Sequence, residues 1–341
     1  MGIGIVELWI ASFCFVLGSH NMQEPSVVCT GPIDKNATEI LHPHGRIVFT
    51  PDTKVESLQP LVGDAIALVV RGEAQINAQV IEAATELKVI GRTGVGYNNV
   101  DIAAATARKI PVVFTPGAGA RAVAEAAVSF MLALCKRVCY WDNEMKAGNW
   151  QSRHGPYNRD LDGATLGIIG FGRIGRILAS MVKPFNMTVL AHDPFVPATE
   201  AANLDVQLMP LEKLFAQSDF ISIHAVVTDE TRAMINRQLM KQIKRGAYLI
   251  NLARGDLIES LDVIHEALTD GRLAGAALDV FAPEPPEVSH PIFKQANCLT
   301  SPHAMAMTEQ SMARIFDSMA KDVAAVLEGK RPQHVVNPEV L

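Results

Sequence analysis

The sequence predicts an α/β protein built on parallel sheets. From residue 26 onward, short apolar runs alternate with helix-like stretches. The alternation comes in two series, separated by a polar stretch rich in turn-forming residues, Gly148–Asp162. A chain of 341 residues also exceeds one typical domain, so two are expected. Hydrophobic residues at 49% and charged residues at 19% suit substantial cores rather than disorder.

In the first series Ile47–Thr50, Ala65–Val70, Lys88–Arg92 and Pro111–Phe114 read as strands, with helices over Asn77–Thr85 and Val100–Arg108. Ala120–Tyr140 reads as one long apolar helix, with Lys136 and Arg137 near its end as the helix dipole favours. The second series has strands at Thr165–Gly170, Met187–His192, Phe220–His224, Tyr248–Leu252, Gly275–Asp279 and Cys298–Ser301. Helices fill the gaps at Arg173–Pro184, Pro210–Gln217, Asn236–Gln242 and Leu261–Asp270, and Ser311–Gly329 is the last.

A net charge of −6 without a Lys/Arg cluster argues against nucleic-acid binding. The cysteines Cys14, Cys29, Cys135, Cys139 and Cys298 form no CxxC pair and are odd in number. They indicate neither a disulfide framework nor a zinc site, and fit a reducing, cytoplasmic setting. Cys135 and Cys139 are one helical turn apart on the expected long helix. Ile3–Leu17 is nearly all apolar, but Glu7 interrupts it, no Lys or Arg precedes it, and it falls short of the roughly 20 residues that span a bilayer. No membrane association is therefore expected. Translation is expected to begin at Met22, with residues 1–21 an extension outside the fold. A small-residue site at Val16-Leu17-Gly18 leaves a secreted form as the alternative, which mass spectrometry of the natural N-terminus separates.

Gly170-Phe-Gly172-Arg-Ile-Gly175 follows an apolar strand and opens a helix. GxGxxG alone is weak; in this context Gly170 permits a tight turn, Gly172 lets backbone amides approach a pyrophosphate, and Gly175 lets helix and strand pack closely. The helix N-terminus favours the phosphates. Asp193, 18 residues beyond Gly175 at the end of the next strand, is placed to accept from the adenosine ribose and to repel a 2′-phosphate. No Arg follows at 194–197, so NAD is expected rather than NADP. Asp193 could instead only cap the turn before Pro194. His192 reads as a bystander facing the other side of its strand, and His224 as lining the adenosine side.

Three further groups reach strand ends, where ligands gather in open α/β sheets: Arg254, Glu284 after Asp279, and His303. Arg254 can bind a carboxylate and polarise an adjacent oxygen through its planar fork. His303 can exchange a proton with a hydroxyl while Glu284 fixes its tautomer. Asp279 is expected to orient the nicotinamide end of the cofactor. Singly, an Arg-Gly is usually a turn and a His after Pro a loop residue. Their joint arrival downstream of a dinucleotide motif points to hydride transfer at carbon 2 of a small 2-hydroxy acid. The eight histidines other than His224 and His303 read as surface or core.

These motifs, with Gly91-Arg-Thr-Gly-Val-Gly-Tyr-Asn-Asn-Val-Asp101 and Val123-Ala-Glu125, resemble the D-isomer-specific 2-hydroxyacid dehydrogenase family, nearest its phosphoglycerate-dehydrogenase-like members without a regulatory tail. The resemblance runs from about residue 45 to 338. It implies two doubly wound parallel-sheet domains, the larger a Rossmann dinucleotide-binding domain (123–304) inserted into a flavodoxin-like substrate domain (26–122 and 305–341). It implies a homodimer joined largely through the cofactor domains, and a cleft that closes over substrate. Backbone amides at Val95 and Gly96 would hold the substrate carboxylate, with Arg71 reaching in. Arg173 and Ile174 would meet the pyrophosphate, and Ala253 would lie beside the cofactor.

Four departures stand out. Glu73 sits where members that handle phosphorylated substrates often carry a second basic residue, which disfavours 3-phosphoglycerate. The loop Gly117–Arg121 lacks the usual Asn-Thr pair, and the run from Arg254 to Asp279 is one residue longer than usual, with the insertion expected around Glu259–Asp262. Val226 replaces a common Pro. Glyoxylate or hydroxypyruvate reduction and phosphoglycerate oxidation are the alternative specific activities. Glu284 argues against a formate dehydrogenase, which would place Gln beside the His. A corepressor-like NAD(H) sensor would keep the glycine motif and Asp193 without needing the Arg, Glu and His set.

Overall fold

The computed structural model describes residues 24–72 and 74–341. The expectations about residues 1–21, including Cys14, and about Glu73 fall outside the described residues. The chain divides into two units, one running to Phe114 and resuming at Met319–Leu341, the other Thr115–Ser318. The junctions fall after 114 and 318 rather than after 122 and 304. The helix Ala120–Cys135 explains the first shift, because its apolar face joins the second unit's core.

In the first unit β1 (Ser26–Cys29), α1 (Lys35–Leu41), β2 (Arg46–Phe49), α2 (Val55–Leu58), β3 (Ala65–Val70), α3 (Ala78–Ala83), β4 (Val89–Arg92), α4 (Ile102–Ala107) and β5 (Val112–Val113) form an all-parallel sheet, order β2-β1-β3-β4-β5, with its helices. Asp34, Asn77 and Asp101 cap α1, α3 and α4 by accepting from backbone N–H groups that have no intrahelical partner. The C-terminal return is pinned by Asn337. Its side chain accepts from Val112 N at 2.8 Å and donates to Ile110 O and Thr106 Oγ1, both at 3.0 Å. A buried amide with three partners is costly to remove, which fixes the last residues to the edge strand.

The second unit opens with α5 (Ala120–Cys135) and α6 (Val138–Lys146), where the sequence predicts a single helix over 120–140. Arg137 takes a left-handed conformation, φ 51°, and the chain turns there. The break puts Cys135, buried, and Cys139, exposed, on different helices. Then follow β6 (Thr165–Ile169), α7 (Arg173–Val182), β7 (Thr188–His192), α8 (Ala198–Ala202), β8 (Val206–Leu208), α9 (Leu211–Gln217), β9 (Phe220–Ile223), α10 (Arg237–Met240), β10 (Ala247–Asn251), α11 (Leu261–Thr269), β11 (Leu273–Leu278), β12 (Cys298–Thr300) and α12 (Glu309–Leu327), which spans the second junction. The seven strands are parallel, order β12-β11-β10-β9-β6-β7-β8. Strand order reverses at β6 and β9, and ligands of open sheets bind beyond the carboxyl ends at such a reversal. Among the described residues no helix is long and apolar enough to cross a membrane.

Candidate active site

The glycine turn lies at that reversal. Gly170 follows β6 with φ 88°, and a Cβ there would stand 2.6 Å from Ala225 N and 2.7 Å from the carbonyl carbon of His224. The backbone leaving β9 thus presses directly on the turn, which only glycine permits. Gly172 caps α7 without a side chain, and a Cβ on it would meet nothing within 4 Å. The free amides at this helix start therefore face open space, the arrangement that receives a phosphate. Arg173 is exposed and Ile174 half-buried at the same helix start. Gly170→Ala is expected to push the two strand ends apart and weaken NADH binding at least about tenfold. Fluorescence titration checks this, and unchanged affinity would contradict the packing argument.

Asp193, just beyond β7, accepts from Phe171 N at 2.8 Å through Oδ2 and from Phe195 N at 2.9 Å through Oδ1. It therefore braces the glycine turn and caps its own turn as well. His192 is turned away, its Nδ1 paired with Met209 O at 3.0 Å. His224 Nε2 pairs with Ser222 Oγ at 2.8 Å, while its Nδ1 is buried with no hydrogen-bond partner among the described residues. An orphaned nitrogen at the reversal, open space over Gly172 and a carboxylate at the end of β7 all fit a dinucleotide.

Burial pushes the His224 imidazole down from its ordinary 6.5 to about 4. Between those values the unfolded chain binds a proton that the folded chain refuses. Stability is therefore full above about pH 6.5 and falls as pH drops toward 4, by up to about 3 kcal/mol. Thermal melts of the parent and His224→Gln check this; equal pH slopes in that window would refute it.

The remaining groups leave the carboxyl ends of three adjacent strands. After β10, the Asn251 side chain accepts from Ala253 N at 3.0 Å and donates to Arg254 O at 2.9 Å, which shapes the turn presenting Arg254. The Arg254 guanidinium donates to Ala253 O at 2.6 Å and makes no ion pair with the described residues, so donors remain for a ligand. Gly255 is pressed on the next loop, where a Cβ would collide with the carbonyl carbon of Phe281. In that loop Phe281 N donates to Glu284 Oε1 at 2.9 Å, and Glu284 Oε2 pairs with His303 Nδ1 at 2.9 Å. One run of contacts thus joins the Arg254 turn to the Glu284 loop and the Glu284 loop to His303. A carboxylate only accepts, so it holds the proton on Nδ1 and leaves Nε2 of the neutral ring as the acceptor.

Asp279, 3% exposed, does something the sequence did not suggest. Its Oδ1 accepts from Ser301 Oγ at 2.6 Å, Ala304 N at 2.9 Å and Met305 N at 3.3 Å, and its carbonyl accepts from His303 N at 2.8 Å. The carboxylate clamps the loop in which His303 adopts φ 52°. This clamp has no signal in a single sequence, because it depends on residues meeting across the sheet edge, whereas the Asn251 brace is a local turn whose partners lie two and three residues on.

In the first unit Arg71 follows β3, and Val95 and Gly96 lie just past β4, at the carboxyl edge of that sheet. Val95 is exposed and Gly96 half-buried; Arg71 is also half-buried, and its guanidinium donates to Pro32 O. Among the described residues no group of three or more His, Cys, Asp or Glu is arranged to hold a metal ion.

Residues 128–305 match the family described as D-isomer specific 2-hydroxyacid dehydrogenase, NAD binding domain. The chain belongs to this family. Its second unit carries the family's NAD-binding domain, so NAD is the cofactor. D-3-phosphoglycerate dehydrogenase of Methanocaldococcus jannaschii is 36% identical over 91% of this chain, which spans 59% of that protein's length. Hydroxypyruvate reductase of Thermotoga maritima is 36% identical over 83% of this chain and 92% of its own. The crystal structure of the TT0316 protein from Thermus thermophilus superposes with a TM-score of 0.84 at 32% identity, covering 91% of this chain and 99% of that one.

Proposed function

We propose that the protein is an NAD-dependent D-2-hydroxyacid dehydrogenase that interconverts a small D-2-hydroxy acid and its 2-keto acid. The observation that carries this reading is the Glu284–His303 pair, held at the same sheet edge as Arg254 and the glycine turn. In this reading the Arg254 guanidinium binds the substrate carboxylate and polarises the carbon 2 oxygen. In the oxidation direction His303 Nε2 takes the hydroxyl proton, and in reduction it returns that proton to the same oxygen. Glu284 holds the ring and stabilises the imidazolium formed in between. The bound nicotinamide accepts or supplies the hydride. Asp279, besides clamping the His303 loop, is assigned to the nicotinamide end, Ala253 and His224 to the cofactor, and Arg71, Val95 and Gly96 to the substrate carboxylate.

A homodimer belongs to the same proposal. The exposed Val138, Met145, Trp150 and Tyr157, close together in sequence, support a protein contact in the second unit.

The test is NADH oxidation by the purified protein across 2-keto acids including glyoxylate, hydroxypyruvate and hydroxypyruvate phosphate. Turnover with at least one is expected, with NADH preferred over NADPH. Tight NADH binding with no turnover on any of them would reject the enzyme in favour of a dinucleotide sensor.

A further inference from the structure

Glu284 sits on the loop Phe281–His290, between β11 and the short helix Pro291–Lys294. Phe281 is buried among the second unit's apolar residues, but most of the rest of the loop is exposed. Burial therefore fixes the loop only at its first residue. Glu284 nevertheless keeps one oxygen on Phe281 N and the other on His303 Nδ1, both at 2.9 Å. A carboxylate carried on an exposed loop needs an anchor on the loop's far side to hold such a geometry.

His290 supplies that anchor. The Ile292 N–H donates to its Nδ1 at 3.2 Å, so Nε2 carries the ring proton and donates to Asp262 Oδ1 at 3.1 Å. Asp262 lies in the first turn of α11, where the helix dipole favours a carboxylate, and in the stretch expected to hold the chain's one extra residue. The His265 ring, next along α11, stands edge-on to His290 with centroids 6.0 Å apart. Between this anchor and Glu284 the chain is stiff. Pro285 and Pro286 have φ set by their rings, and the turn Glu287–His290 is closed by His290 N donating to Glu287 O at 3.1 Å.

We propose that His290 and Asp262 are positioning residues for the Glu284–His303 pair. Their hydrogen bond ties the loop to α11 and keeps Glu284 in register with His303 Nδ1, while neither is assigned to substrate or cofactor. The inference rests on the acid–base role proposed for His303. A purely local role is the competing account, in which His290 only caps the short helix through Nδ1 and Asp262 only serves the dipole of α11. The two accounts use different nitrogens of one ring, so they rank two variants in opposite order. Glutamine puts an amide donor near the place of Nε2 and can still meet Asp262. Asparagine puts its oxygen near the place of Nδ1 and can still cap Ile292 N.

Steady-state kinetics of the full chain with NADH and its best 2-keto acid, together with proton NMR of the His303 Nδ1–H, test this. Asp262→Ala and His290→Asn are each expected to lower kcat about tenfold with KM unchanged. Both should broaden the Nδ1–H resonance, which is identified by its absence in His303→Ala. Asp262→Asn and His290→Gln should recover most of kcat, since each keeps a partner for the bond. Adding His290→Asn to Asp262→Ala should cost nothing further, as expected of two residues acting through one contact. The proposal is overturned if Asp262→Ala keeps the parental kcat and resonance, or if His290→Asn turns over faster than His290→Gln. A parent that turns over no 2-keto acid would sink the acid–base role instead. The resonance then decides alone: broadening in Asp262→Ala supports the positioning, and a parental line overturns it.

Discussion

Replacing His303 with alanine is expected to leave NADH affinity unchanged and to lower turnover on any accepted 2-keto acid by about 10² to 10⁴. The size is that of losing a positioned proton carrier, the role proposed for His303. Glu284 reaches the substrate only through the imidazole, because both of its oxygens are engaged, one by Phe281 N and one by His303 Nδ1. Glu284→Gln is expected to lie between the parent and His303→Ala. A glutamine can still meet Nδ1 but brings no charge to stabilise the imidazolium, so the loss should fall in kcat more than in KM. Steady-state kinetics paired with NADH titration check both variants. A His303→Ala enzyme that turns over at the parental rate would remove the acid–base assignment, whatever its NADH affinity.

These expectations rest on features of unequal legibility. The glycine turn could be read from residues alone, because the spacing of its glycines between a strand and a helix is a local pattern, whatever each glycine then meets. Gly170 turns against the backbone after β9, and Gly172 opens the start of α7. That Arg254, Glu284 and His303 lie near one another could be read because each follows the carboxyl end of a strand, and those ends share an edge of the parallel sheet. The break at Arg137 could not. The apolar pattern runs on through Val138 and Cys139, and Lys136-Arg137 looks like the basic last turn of a continuing helix. An arginine in the left-handed region is decided by packing rather than by its own preference. Nor could β8, which at three residues carries no periodicity, or the Asp279 clamp, whose partners lie 22 to 26 residues away. Asp279 shows how a strand-end position leaves a residue's contacts unread. Its position at a strand end suggested the cofactor, while its contacts are to the loop that carries His303.

Arg254 carries the second large effect. Arg254→Ala is expected to lower kcat/KM by about 10² to 10³, comparable to deleting one preorganised donor to a developing oxyanion. Arg254→Lys should recover only part of this, since an ammonium restores charge but not the planar pair of donors that spans a carboxylate. The two variants also separate binding from chemistry. If the guanidinium only anchors the carboxylate, KM rises and kcat holds. If it also polarises the carbon 2 oxygen, kcat falls as well. The turn is shaped by Asn251 and by the seating of Gly255 on Phe281, neither of which depends on the Arg254 side chain, so both variants should melt close to the parent. Parental kcat/KM in Arg254→Ala would mean that another group holds the substrate against His303. The Arg254 assignment would then fail even if the imidazole proved essential.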